Sequence, residues 1–371
     1  MPPQWDELRK DFPALERYVY LNAAAGSPTP TPVREAVTKY LREMETSGDM
    51  LWDAWFARRE VVRVRVAQLI GAEADEIAFV ANASTGMNLI ADLLAEEGPV
   101  LTDEIEFPTV TLPWVHRGSA VHFLPAVEGM LRLESFAAAD APKAATILIS
   151  HVQFSNGCRQ DLNAFGTIKG GRNFVVCGSQ SAGAFPIDVK QSGIDALATS
   201  GHKWLCAGYG AGFAYMSRAL IAKHPPGSIG WLSVENPFAF DNRTYTLLPS
   251  NQRTELGCPA FAGIFALGAA IDYLAKIGID AIAERVLDLN MYLTQRLERE
   301  GFLVLSPGGA HRSGETLVEI GDPRGAVRFL KDRGILVTQK PEGVRISTHF
   351  YNNETDIETC LAALVEHRKG S

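Results

Sequence analysis

A chain of 371 residues, 46% hydrophobic and 21% charged, can bury a large core without disulfide or metal staples, and its length suits two or three domains. The formal net charge of −8 is spread over interleaved acids and bases, with no basic stripe for nucleic acid and no apolar run of membrane-spanning length. The five cysteines (Cys158, Cys177, Cys206, Cys258, Cys360) form no C-x-x-C pair and the eight histidines no ligand cluster, which argues against a disulfide framework or a metal site. The start, MPPQWDELRKDFPALE, carries acids and lacks a signal-peptide apolar stretch, so the chain reads as cytoplasmic.

Thr31 followed by Pro32 opens a helix with Val33, Val37, Tyr40, Leu41 and Met44 on one face. Trp55, Val62, Val66 and Leu69 mark a second helix, ended by Gly71. EIAFVAN (76–82) reads as a strand and TGMNLIADLLAEEG (85–98) as a helix. Strands then follow at PVLTD, AVHFL, ATILISHVQ, NFVVCG, ALATSG and AGFAYM, with a short helix at VTLPWVHRG. Short apolar runs separated by helical stretches predict an α/β unit with a mostly parallel sheet covered on both faces. Beyond about residue 256 the pattern changes to two longer helices (260–278 and 282–301), then FLVL, TLVEIG, a helix near AVRFLKDRG, ILVT, VRIS and a last helix over 355–369. That is a smaller α+β unit. The expected division is 16–255 for the larger unit and 1–15 with 256–371 for the smaller one. There is no internal repeat and no low-complexity linker.

Five stretches could carry chemistry. In ATSGHKWLCAGYGAG, Lys203 follows a strand tip beside Ser200 and His202; it is either a surface lysine or an amine activated by burial. In VANASTGMN, Ser84, Thr85 and Gly86 offer hydroxyls and backbone N–H groups at a helix N-terminus, which is an anion site or a plain cap. Phe107, in EIEFPTVTLPW, is a core aromatic or a ring for stacking on a flat ligand. His151 and Gln153 end a strand, with a satisfied core histidine the safer reading for His151. Arg345, inside an apolar strand, needs a partner: a structural carboxylate or a substrate's. Together these are the parts for pyridoxal phosphate acting on an amino acid.

In order and spacing the motifs resemble the class V aminotransferase family of fold-type I pyridoxal-phosphate enzymes, from YLNAAAGSPTP (20–30) to VRISTHFYN (344–352), most specifically at SGHKW. EFP, PW and HVQFSNGCRQDL bring it nearest the isopenicillin N epimerase-like branch, which is related to the cysteine desulfurases. The resemblance implies a large domain with a mostly parallel seven-stranded sheet between helices and a smaller α+β C-terminal domain. It implies that Lys203 is the Schiff-base residue and that Ser84, Thr85, Ser200 and His202 hold the cofactor's phosphate. It puts Phe107 against the ring, and Gln180, with Gln153 less firmly, near the phenolic oxygen. Arg345 would take the substrate carboxylate, with Asn22 nearby. TELGCP (254–259) resembles a segment that crosses to a partner's site, implying a homodimer with shared sites, with Cys258 where the family often has threonine.

One position departs from the family. Where it writes Asp-Gly/Ala-x-Gln, this chain writes Cys177-Gly178-Ser179-Gln180. The aspartate normally pairs with the pyridine nitrogen, and a fixed charge there favours the protonated ring by a few pKa units. A thiol is a weaker partner, so a weaker electron sink is expected, with transamination disfavoured against epimerisation or elimination. GILVTQKPEGVR (334–345) lacks the cysteine that a persulfide-forming desulfurase needs there. The expected function is thus transamination, epimerisation or elimination on an amino acid or amine. The alternative is a degenerate cofactor-binding protein with little turnover. A nucleotide-binding α/β enzyme is disfavoured, because neither G-x-G-x-x-G after the first strand nor a P-loop occurs. Trp231 and the segment 46–58 are further pocket candidates without an assigned place.

Overall fold

The computed structural model describes residues 3–138 and 144–370. After a short helix at Trp5–Arg9 come two long ones, α1 (Thr31–Ser47) and α2 (Trp52–Leu69). Seven strands follow: β1 (Ile77–Val80), β2 (Val100–Asp103), β3 (Val121–Leu124), β4 (Thr146–Ser150), β5 (Asn173–Cys177), β6 (Ala196–Ser200) and β7 (Gly212–Met216). Helices α3 (Ala83–Leu94) and α4 (Pro108–His116) lie between them in sequence. The sheet runs β1-β7-β6-β5-β4-β2-β3; β7 is antiparallel to both neighbours and every other pair is parallel. Strands β4, β5, β6 and β7 are buried at every residue except Asn173, which is why their sequences read as unbroken apolar runs. Alternate residues feed two cores. Ile147, Phe174, Val176 and Leu197 join one, while Leu148, Val175, Cys177 and Ala198 face Met87, Ile90 and Trp114 of α3 and α4.

Four further helices follow the large sheet: α5 (Phe261–Ile277), α6 (Ile279–Arg299), α7 (Pro323–Asp332) and α8 (Glu354–Gly370). A three-stranded antiparallel sheet, order β9-β10-β8, joins β8 (Glu315–Glu319), β9 (Thr338–Gln339) and β10 (Gly343–Ser347). The expected division at residue 256 falls just before α5. The apolar residues of α5, Phe261 to Leu274, belong to the larger core with Trp55 and Val62, while a second core begins with Leu289 of α6 and takes in the small sheet and α8. Among the described residues no single helix is long and apolar enough to cross a membrane.

Two local expectations change. The run ILVT is divided between two sheets: Ile335 and Leu336 pair in parallel with Val19 and Tyr20, whereas Thr338 pairs with Arg345 of β10. FLVL forms no strand of its own. Its backbone meets β8 through Glu319 N to Leu303 O (2.9 Å) and Leu305 N to Leu317 O (2.8 Å), leaving one isolated bridge at Val304.

Two features hold the parts near the sheet's carboxyl edge. Asn82 caps α3, its Oδ1 accepting from Thr85 N at 3.0 Å. Gly86 then lets α3 sit directly on β6: a Cβ there would lie 2.7 Å from Ala198 Cβ, with little room to shift. We expect Gly86→Ala to cost about 1–3 kcal/mol of stability through overpacking, read from urea unfolding midpoints. The segment after β7 is pinned by charge. The fully buried Arg63 bonds Glu255 Oε1 at 2.5 Å and Ile77 O at 2.9 Å, and Phe79 N donates to the same Glu255 oxygen at 2.9 Å. This ties 254–259 to β1.

Candidate active site

A cavity of about 500 Å³ opens at the carboxyl ends of β4, β5 and β6, where open α/β sheets place ligands. Its wall includes Ala24, Ser84, Phe107, Phe154, Cys177, Gln180, Ser200, His202, Lys203, Lys340 and Arg345. Eight residues singled out in the sequence therefore converge. Thr85, Gln153 and Asn22 do not line it.

Lys203 is brought there by a close backbone approach. A Cβ at Gly201 would stand 2.8 Å from Ala211 O, so glycine lets the chain leave β6 alongside the entry to β7. The Lys203 amine makes no hydrogen bond or ion pair among the described residues, and Nζ lies 5.8 Å from the Phe107 ring centroid. Burial holds its pKa below the usual lysine value and Arg345 pushes the same way, against Cys177 and Glu315. Phe107, 42% exposed, meets Phe154 edge-on at 4.9 Å, leaving much of the ring free.

At one end, Ser200 Oγ accepts from Ala83 N at 2.9 Å and Ser84 Oγ lies 2.8 Å from Thr109 Oγ1. Hydroxyls from the end of β6 and the start of α4 thus meet the first turn of α3. His202 stacks on Tyr209 at 4.4 Å, and burial, then Lys203, lowers its pKa to about 4, so the ring is neutral. Thr85 instead faces a neighbouring cleft with Gly257 and Cys258, its hydroxyl bonded to Asn82 Oδ1 at 3.3 Å. Gln180 spans the inner wall: Nε2 donates to Ala24 O (3.0 Å) and Oε1 accepts from Trp204 Nε1 (2.9 Å).

The floor carries the unusual chemistry. Cys177 Sγ donates to Ser179 Oγ at 3.4 Å; burial raises its pKa, so the thiol stays protonated. Behind it, Glu106 is held by Ser150 N, by Ser150 Oγ at 2.6 Å and by Gln153 Nε2 at 2.8 Å. Gln153 also donates to Asp103 Oδ2 at 3.1 Å. Burial, then the charge of Glu106, raises Asp103 to about 9. Phe107 N is a fourth donor, at 3.3 Å; burial raises the Glu106 pKa too, but with four donors converging on it Glu106 holds the pair's negative charge and Asp103 the proton. Gln153 is thus a strut beneath the floor. Its neighbour His151 is buried, with a pKa lowered to about 3 by burial, and lines a separate cleft with Arg159.

The outer wall is cationic. Arg345 Nη1 donates to Phe154 O at 2.8 Å and to the buried Glu315 Oε2 at 3.1 Å. Lys340 Nζ sits 4.0 Å from the Phe154 ring centroid. Asn22 supports this hairpin from behind, its Oδ1 accepting from Thr338 Oγ1 at 2.5 Å. Trp231 lies elsewhere, in an open cleft with Phe240 and Tyr245. The segment 46–58 is the end of α1, a turn and the start of α2, and contributes nothing to the cavity wall.

The Aminotransferase class-V family model matches residues 19–360. The chain belongs to the class-V aminotransferase family. The chain is 28% identical over 97% of its length to 96% of an uncharacterized aminotransferase, YcbU, of Bacillus subtilis. It is 32% identical over 79% of its length to 74% of a probable cysteine desulfurase of Methanothermobacter thermautotrophicus. An apo cysteine desulfurase structure from Thermococcus onnurineus superposes with a TM-score of 0.92 at 27% identity, covering both chains completely. The fold is therefore fold-type I, as expected from the resemblance. The alternative of a cofactor binder without turnover has no support among these relatives.

Sequence reasoning missed Asn82, Glu106, Asp103, Ser150, Lys340 and Glu315. An asparagine just before a helix was a usable signal for the first. Asp103 and Glu106 meet Gln153 and Ser150 only where β2 and β4 pair, and Lys340 and Glu315 meet Arg345 only through the small sheet's register, neither of which the sequence marks.

Proposed function

We propose that this chain is a pyridoxal-phosphate-dependent enzyme acting at the α-carbon of an amino acid. One observation carries the reading: a half-buried lysine amine, with no hydrogen bond or ion pair among the described residues, shares a cavity with an exposed aromatic face and a carboxylate-binding arginine. The residues present fit the cofactor. The first turn of α3, with Ser84 and Ser200, suits a phosphate, and neutral His202 adds a donor without a charge. Phe107 would cover one face of the ring and Gln180 would border its phenolic side. When bound, the cofactor supplies an electron sink for the pair released at the substrate's α-carbon.

The chain's own residues would do the rest. Lys203 would hold the cofactor through its aldehyde, and its neutral amine would take the substrate's α-proton and return it. Its lowered pKa leaves that amine unprotonated, and so free to accept a proton, in more of the molecules. Arg345 would orient the carboxylate. Gln153 would act through Glu106, and Asn22 through the hairpin it supports. Cys177, a neutral thiol, would leave the ring nitrogen without a direct anion, so we favour epimerisation or elimination over transamination. No cysteine occurs in 334–345, which disfavours a persulfide-forming desulfurase. We further propose a homodimer, with 254–259 reaching the neighbouring site; light scattering tests it.

Borohydride reduction of the cofactor-loaded protein, followed by peptide mapping, is the direct test. A pyridoxyl group on Lys203 is expected; its attachment elsewhere, or no attachment, sinks the proposal. An amino-acid panel that shifts the visible band then identifies the substrate class.

Cys177→Asp has its own expected outcome. Without cofactor, a new carboxylate beside buried Glu106 should destabilise the chain by about 1–3 kcal/mol. The bound ring should offset much of that loss. Thermal melts with and without cofactor read the difference; equal losses in both would mean that Cys177 does not face the ring nitrogen.

A further inference from the structure

We infer that Lys340 is a second anion-recognition residue of this cavity, and that the amino acid used by the chain carries an anionic group at the end of its side chain. This rests on the reading above that Arg345 takes the α-carboxylate.

The argument starts from the β9–β10 hairpin. Thr338 lies opposite Arg345, and the turn closes with Lys340 N donating to Gly343 O at 2.8 Å. Alternate residues of a strand share a face, so Lys340 lies on the same face as Thr338 and Arg345, about 7 Å nearer the hairpin tip. One residue, Phe154, brackets both cations: its carbonyl takes Arg345 Nη1 and its ring takes the Lys340 ammonium. Two positive groups thus stand along one wall at a spacing that a ligand with two carboxylates, separated by about two or three carbons, can bridge.

Charge points the same way. Lys203, Lys340 and Arg345 line the cavity, and no aspartate or glutamate does. Glu315 stands behind Arg345 and balances it. Lys203 is consumed by the cofactor. Lys340 then remains without a counter-charge: it makes no hydrogen bond or ion pair through its ammonium among the described residues. Outside the cavity, the half-buried lysine among the described residues is paired: Lys169 bonds Asp195 at 2.7 Å. Burial, then Arg345, lowers the Lys340 pKa to about 8, a cost that an anion in the cavity relieves.

The test uses succinate against butyrate, which share a chain length and lack the amine, so chemistry at the cofactor does not intervene. Calorimetry on the cofactor-loaded protein at pH 7 should give succinate about a tenfold or greater advantage, as a charge-assisted hydrogen bond provides. Lys340→Met should erase that advantage and leave butyrate binding unchanged, while Lys340→Arg should keep it. The advantage should fade as pH rises through and above about 8, because the ammonium is lost; Arg345 and Lys203 push that midpoint down, Glu315 and Glu342 push it up. Equal binding of the two acids to the wild type, or a succinate preference that survives Lys340→Met, overturns the inference. Failure of both acids to bind overturns it as well. Borohydride trapping on Lys203 in the same preparation then tells whether the cofactor reading falls with it.

Discussion

Lys203→Ala is expected to lower turnover by about 10²–10⁴-fold or more, and to leave the bound cofactor with the spectrum of its free aldehyde. The variant removes both the amine that holds the cofactor and the base at the α-carbon. It removes no hydrogen bond or ion pair of the fold, so unfolding should be nearly unchanged. Methylamine added in solution should restore part of the activity, since it supplies an amine where Nζ stood. In the wild type, the rate of aldehyde capture should rise with pH and level off at a pKa below the ordinary lysine value, because burial favours the neutral amine. Wild-type-like turnover in the variant would remove Lys203 from the chemistry.

Arg345→Leu should raise KM for an amino acid by about a hundredfold and cost about 3–5 kcal/mol of stability. The stability loss comes from Glu315, which is fully buried with Arg345 as its partner at 3.1 Å. Burial already raises the Glu315 pKa, and without Arg345 the carboxylate would take up a proton or destabilise the core. The double variant Arg345→Leu with Glu315→Leu separates the two roles. Its stability should return close to wild type, as replaced buried ion pairs often do, while KM stays high. Recovery of both would show that Arg345 is only structural. The single variant should also move the Lys203 capture inflection upward, since it removes a neighbouring positive charge and leaves Glu315 uncompensated.

The cavity residues differ in how legible they were. Lys203, Ser200, Cys177 and Phe107 sit at or just after strand ends, and a period change from strand to turn marks such positions in one sequence. Gln153 looked equivalent, three residues past its strand, yet it bonds Glu106 and Asp103 beneath the floor. Side-chain direction after a strand end is set by the turn, here Gly157 N to Gln153 O and Gln153 N to Cys158 O, which periodicity does not encode. Thr85 shares a helix start with Ser84, but a helix turns about 100° per residue, so its neighbour faces another cleft. Lys340 read as one lysine in a polar loop. Only the hairpin register sets it beside Arg345.

From the sequence alone came the α/β class, the change of pattern near residue 256, the lysine, the thiol where a carboxylate belongs, and the family. These are local or compositional signals, carried by periodicity and by residues adjacent along the chain. Strand order, the division of ILVT between two sheets, and the packing of α5 into the larger core belonged to the tertiary structure. So did the joining of Glu106 to Ser150 and Gln153 beneath Cys177, and of Glu315 to Arg345. Each joins segments distant in sequence. Their partners are selected by burial and charge compensation once the sheet has formed, and a buried charge acquires its meaning only from the groups that surround it.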